Sequence, residues 1–166
     1  MKLANSVFFG SRNRILTAKQ ALVQLGIVEI RKWIYLVTLK DIHTIENREL
    51  IKNCYIRAKF MEQLAIETGK KDKSLEYFIT GMFSAIDVLL NKDMDVIMNE
   101  INLPCDVKDA LLGVKNEIRK VLDMVLDYES LKWNVLDTDE TSFEISQEKF
   151  MSLYLEALAW ARKLKY

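Results

Sequence analysis

With a single histidine, His43, in 166 residues, the chain cannot supply a catalytic or metal centre that needs imidazole at several fixed places. Multi-histidine metal chemistry is excluded, and a Ser-His-Asp triad has only one residue to draw on. His43 lies between Ile42 and Thr44 in a polar connection, where a solvated loop histidine is the plain reading. Cysteine is nearly as scarce. Cys54 and Cys105 are 51 positions apart and neither belongs to a C-x-x-C pair, so a disulfide framework and the zinc and redox signatures are ruled out. One proline and five glycines exclude collagen-like and low-complexity classes. No apolar run much exceeds Trp33 to Val37, far short of the about 20 residues that cross a bilayer, so membrane insertion is not expected. The start of the chain has no long apolar core followed by a cleavage pattern, and a reducing cytoplasm is the expected location. Net charge is missing too. The 24 basic and 24 acidic side chains cancel, leaving no field to draw in nucleic acid. No Gly-rich phosphate loop occurs, and no cofactor is expected.

What is present is helical periodicity over an apolar half of the composition. Thr17 and Gln20 have the form of a capping box, opening a short helix that Gly26 closes. Ile27, Ile30, Ile34 and Val37 then define one face of a second helix. From about Glu46 to Thr68, Leu50, Cys54, Arg57, Met61 and Leu64 recur at spacings of four and three, with Gly69 just past the end. From Ser74 to Asn91 an apolar stripe of Leu75, Phe78, Met82, Ile86 and Leu89 runs beside a polar line of Thr80, Ser84, Asp87 and Asn91. A short helix carrying Met94, Ile97 and Ile101 stops at Leu103-Pro104. Asp106 then caps one long helix through Val107, Ala110, Val114, Ile118, Val121, Val125 and Tyr128. After a polar loop over 137–142, Ile145, Ser146 and Phe150 form a hydrophobic staple, and Phe150, Leu153, Ala157, Trp160 and Leu164 make a closing amphipathic helix. No strict alternation competes, so the expected fold is a single all-α domain over 1–166, a bundle of about seven to nine helices.

Carboxylate pairs such as Asp93/Asp95 and Asp137/Asp139 fall at element ends, where capping and solvation explain them. Lys59 and Glu62 are an i,i+3 pair worth a few tenths of a kcal/mol on a helix surface. Arg57 is different, because it lies on its helix's apolar stripe. A buried guanidinium must either bond a carboxylate or helix-end carbonyls, or reach a wet pocket that receives a partner or an anionic ligand.

The stretch Leu3-Ala4-Asn5-Ser6-Val7-Phe8-Phe9-Gly10, followed by Ile15-Leu16-Thr17 and Ala21-Leu22-Val23-Gln24-Leu25-Gly26, resembles the N-S-x-x-F/Y-G, I-x-[ST] and A-L-x-x-L-G motifs of HDOD domains, modified relatives of HD-type phosphohydrolases. Glu29-Ile30-Arg31-Lys32-Trp33, Arg57 to Ala65, Phe78 to Ser84 and Tyr154 to Ala161 are similar to the subfamily in which an HDOD domain follows an EAL domain of the cyclic-di-GMP phosphodiesterase type. The resemblance implies an HD-like helical core that lacks its first helices and an upstream EAL domain. It also locates a missing active site. The G-L-L-H-D-I-G of catalytic relatives aligns on Gly81-Met82-Phe83-Ser84-Ala85-Ile86-Asp87, so the His-Asp pair becomes Ser84-Ala85. The histidine one helix earlier falls on Arg57. Two unit charges 4 Å apart interact by about 4 kcal/mol at a dielectric near 20, so a divalent ion beside Arg57 is opposed by roughly twice that. Hydrolysis by the ancestral route is therefore not expected.

The resemblance implies a non-catalytic signalling module with protein partners, among them an EAL domain in the same chain and a second copy of itself. The alternative is a sensor that takes a small anionic ligand or nucleotide in the degenerate pocket around Arg57, Ser84 and Asp87. Arg31 and Trp33 are the candidate interaction residues.

Overall fold

The computed structural model describes residues 26–28, 31–32, 34–35, 47–130 and 145–164. Among these, the elements in order are α1 (Arg48–Glu67), a 3-10 turn (Lys71–Lys73), α2 (Ser74–Phe83), α3 (Ile86–Leu90), α4 (Met94–Glu100), α5 (Cys105–Leu111), α6 (Glu117–Glu129) and α7 (Gln147–Ala161). Residues 26–28, 31–32 and 34–35 are also helical, and no strand occurs among the described residues. The all-α expectation holds. The capping box at Thr17 and Gln20, His43, Trp33 and the 137–142 loop lie outside the described residues.

α1 is the central pillar, packed chiefly on α2 and α7. Its four-three spacing of apolar side chains puts Cys54, Met61 and Leu64 out of contact with water, and Gly69, at φ +77°, turns the chain back just beyond its end. α2 returns across it so closely that a Cβ on Gly81 would lie 2.6 Å from the Arg57 carbonyl carbon and 2.7 Å from the Ala58 nitrogen. Only a residue without a side chain permits that crossing. α7 closes the other side of α1. Ser146 accepts a bond from the Lys149 amide, and Phe150 is buried in an edge-to-face group with Phe60, Tyr128 and Tyr154.

Several local expectations are corrected. The single helix expected over 106–128 is two helices, because Gly113 takes φ +84° and Asn116 caps α6 by accepting from the Arg119 amide. Val114, placed on the apolar stripe by periodicity, is exposed at that break, and the residue preceding α5 is Pro104, not Asp106. The 74–91 segment is likewise broken, at Ser84-Ala85, into α2 and α3. Its polar line does not stay in water either. Thr80 is buried, with its hydroxyl donating to the Glu76 carbonyl at 2.8 Å. Asp93 occupies the N-cap position of α4 without a side-chain bond.

The face expected from Ile27, Ile30, Ile34 and Val37 is also reversed where it is described. Ile27 and Ile34 are both 53% exposed, whereas Lys32 is buried and Tyr35 packs edge-to-face on Phe83 at 5.7 Å. The reason is Glu62. Its buried carboxylate accepts from Lys32 Nζ and from half-buried Lys59 Nζ, the latter at 2.8 Å, so the pair read as a weak surface contact is part of a three-charge cluster around a buried carboxylate. Lys32 lies over the Phe78 ring and Lys59 over Trp160, both at 5.8 Å. A buried carboxylate requires such partners, and supplying them turns the Lys32 side of the segment inward.

Gly81→Ala tests the crossing. The obstructing atoms are backbone and cannot rotate away, so a loss of roughly 2 kcal/mol or more and a melting temperature lower by about 5 °C or more are expected in thermal unfolding.

Candidate functional site

Arg57 stands at the middle of α1, beside the Gly81 crossing. Its Nε donates to Glu129 Oε1 at 3.1 Å and Oε2 at 2.9 Å, and its Nη2 reaches Oε2 at 2.8 Å. Nη1 donates to Ser84 Oγ at 3.0 Å, and that hydroxyl donates onward to the Gly81 carbonyl at 2.9 Å. The guanidinium thus ties α1 to the break between α2 and α3 and to the last residue of α6. The two charged side chains are 13% and 17% exposed, which puts the pair in the regime where each charge relies on the other.

Ser84 comes within reach because the helix stops there. At the end of α2 its hydroxyl can turn back to the carbonyl three residues earlier and still accept from Arg57. Ala85 is buried beside it. Beneath the ion pair, one turn before Arg57, lies Cys54. Burial pushes its thiol up to about 11, against a smaller lowering by Arg57, while Glu129 and Asp87 add to the rise. Tyr154 is raised by burial as well, with Glu129 and Tyr128 adding to the effect. Asp87 is half-buried and lines an open groove with Asn91, Lys92, Asp93 and Met94, between α3 and α4. Arg57 and Ser84 are therefore joined directly, whereas Asp87 belongs to the neighbouring groove. Arg31 is exposed on the 26–35 segment, and Trp33 lies outside the described residues.

Glu129 is the site residue that sequence reasoning missed. It falls four positions after Val125, on the continuation of the buried stripe of α6, so a carboxylate on an apolar face was available as the counterpart to a guanidinium on another. Among the described residues, no group of three or more His, Cys, Asp or Glu side chains is placed to hold a metal ion. The residues at the aligned positions do not fit a divalent ion. A fixed cation stands there, its charge is already neutralised by Glu129, and the adjoining positions offer a hydroxyl and a methyl.

An all-helical core held together by an internal ion pair between Arg57 and Glu129 is what the structure presents. Residues 1–107 match the HDOD domain family, and the chain belongs to it. It is 35% identical over 99% of its length to the uncharacterized protein YuxH of Bacillus subtilis (strain 168), of which it covers 40%. It is 27% identical over 88% of its length to the cyclic di-GMP phosphodiesterase CdgJ of Vibrio cholerae serotype O1 (strain ATCC 39315 / El Tor Inaba N16961), of which it covers 34%. The chain thus spans less than half the length of either relative. No solved structure gives a significant match.

Removing one half of the pair should cost more than removing both. Arg57→Ala strands the Glu129 carboxylate and is expected to destabilise by roughly 2–4 kcal/mol, while the Arg57→Met, Glu129→Met double variant recovers much of that loss. A double-mutant cycle in urea with a coupling below about 0.5 kcal/mol would show that the pair is not a structural unit.

The thiols offer a pH test. At pH 8, a Cys54 thiol with a pKa of about 11 is ionised to about one part in a thousand, so native protein should take one equivalent of a thiol reagent, at exposed Cys105, and two when unfolded. Between pH 9 and 11 the unfolded chain gives up this proton and the native state keeps it. The Cys54 contribution therefore lowers stability as pH rises through that window, and Cys54→Ala should flatten that part of the profile.

Proposed function

We propose that this HDOD domain is a non-catalytic, cytoplasmic regulatory module that acts by docking on a protein partner. The partner is an EAL-type domain of a cyclic-di-GMP signalling protein. The observation that carries the reading is the Arg57–Glu129–Ser84 cluster, because it commits the old catalytic position to holding three elements together. The name of the Vibrio cholerae relative, a cyclic di-GMP phosphodiesterase, supports the signalling context. The share of both relatives that lies beyond this chain leaves room for a second domain.

The docking face we assign is the outer side of the 26–35 segment. Ile27, Arg31 and Ile34, at i, i+4 and i+7, are all exposed, and Val28 adds to them. An amphipathic face with one central arginine is a common makeup for the heart of a protein interface. The Lys32–Glu62 bond and the Tyr35–Phe83 contact hold this face at a fixed position on the domain. A sensor function at Arg57 gains less support. Glu129 already balances the charge of Arg57, so an anion arriving there would compete with a carboxylate held at 2.8 Å.

Ile27→Asp with Ile34→Asp, placed in the full-length protein, should leave folding intact and change cyclic-di-GMP phosphodiesterase output at least severalfold. Unaltered output together with unaltered co-purification of an isolated EAL domain would overturn the reading.

A further inference from the structure

α7 has two apolar stripes, and the fold uses one. Phe150, Leu153, Ala157 and Ala161 are buried against α1 and its neighbours. On an adjoining side, Met151 is 45% exposed and Leu155 is 57% exposed, with Leu158, half-buried against the core, at its edge. Exposed Glu148 precedes this set and exposed Arg162 follows it. The order Glu148, Met151, Leu155, Leu158, Arg162 has steps of three, four, three and four, the spacing by which one helix lies along another at a shallow angle.

We propose that this outer face of α7 is a self-association surface that pairs with the same face of a second copy in antiparallel orientation. The charges select the partner. Glu148 and Arg162 each lie seven residues, about two helical turns, from Leu155, in opposite directions and on the same side of the helix. An antiparallel pair centred on Leu155 sets the two leucines together at the twofold axis. It also brings Glu148 of each copy opposite Arg162 of the other, twice over. A parallel pair would instead oppose like charges at both ends. Self-complementarity of this kind is what a twofold interface requires.

The rest of the surface is compatible. Lys149 is turned aside to Glu67 at 3.2 Å, and Glu156 accepts from Gln63 at 2.8 Å, so the flanking charges are held toward α1, away from the seam. One pair of four-turn helices buries less than the about 800 Å² per partner of a standard interface, so the association is concentration-dependent and not obligate.

Sedimentation velocity of the whole 166-residue chain across the micromolar range should show a reversible monomer–dimer equilibrium. Leu155→Asp should weaken it at least tenfold, with an unchanged melting temperature at concentrations where both proteins are monomeric, because the residue is exposed. Glu148→Arg should weaken it, and Glu148→Arg combined with Arg162→Glu should restore it, a rescue that a general solubility effect cannot produce. In a Cys105→Ser background, Leu155→Cys should form a disulfide-linked dimer across the axis. A chain that stays monomeric throughout, a dimer indifferent to Leu155→Asp, or a charge swap that fails to rescue would each overturn the proposal. None of these readouts depends on an EAL domain, so they stand apart from the docking reading above.

Discussion

The backbones of α1 and α2 meet at Gly81, and much else in the domain is fixed by that approach. With the Arg57 carbonyl carbon 2.6 Å from where a Cβ would stand, the two helices are as close as chains can pack. The approach brings the end of α2 to the flank of α1 and sets Ser84 within 3.0 Å of the Arg57 guanidinium. Glu129, arriving from α6, completes the charge balance. A guanidinium in this position needs an anion. In supplying one, α6 is drawn into the same junction, and the Phe60, Tyr128, Phe150 and Tyr154 rings close over the adjoining space.

The Arg57 junction joins helices in the way that a bound metal ion joins them elsewhere. A divalent ion in such a site links helices by accepting several ligands at once. Arg57 links α1, the α2–α3 break and α6 through hydrogen bonds from Nε and Nη1 and an ion-pair contact from Nη2, with directionality that an ammonium group would not match. The cation is now part of the chain and cannot dissociate. What is lost is the activated water that metal chemistry supplies. Ser84 and Ala85, which the resemblance sets opposite the His and Asp of catalytic relatives, carry a hydroxyl and a methyl.

Much of this was legible in the sequence, and the failures have physical causes. The stripe of α1, with Arg57 as its odd member, was plain because the four-three spacing runs unbroken over four turns. The breaks in 74–91 and 106–128 were hidden because apolar periodicity runs across them: Phe78, Met82, Ile86 and Leu89 are all buried although α2 ends at Phe83. Gly113 was a visible breaker, yet the stripe from Val107 to Val125 outweighed it. The 26–35 segment misled for another reason. Hydrophobic spacing pointed Ile27 and Ile34 inward, but the segment is oriented by a buried carboxylate 30 positions away, and no local pattern carries that information. Glu129 was the recoverable omission, since a charged residue on one apolar stripe calls for another of opposite sign.

α1 also explains why the domain presents two outward faces that share a support. Glu62 and Gln63 are consecutive, so their side chains leave the helix about 100° apart. Glu62 holds the 26–35 segment through Lys32, while Gln63 holds α7 through Glu156, with the Glu67–Lys149 pair one turn further along. Each outer face is thus attached to the rigid middle of the bundle by bonds from adjacent residues. Binding at one face can affect the other only to the extent that it favours one placement of α1 over another. The Gly81 crossing and the Arg57–Glu129 bond restrict such placements sharply. The same two contacts, one of backbone and one of charge, therefore set how the 26–35 residues and α7 are held on two flanks of one helix.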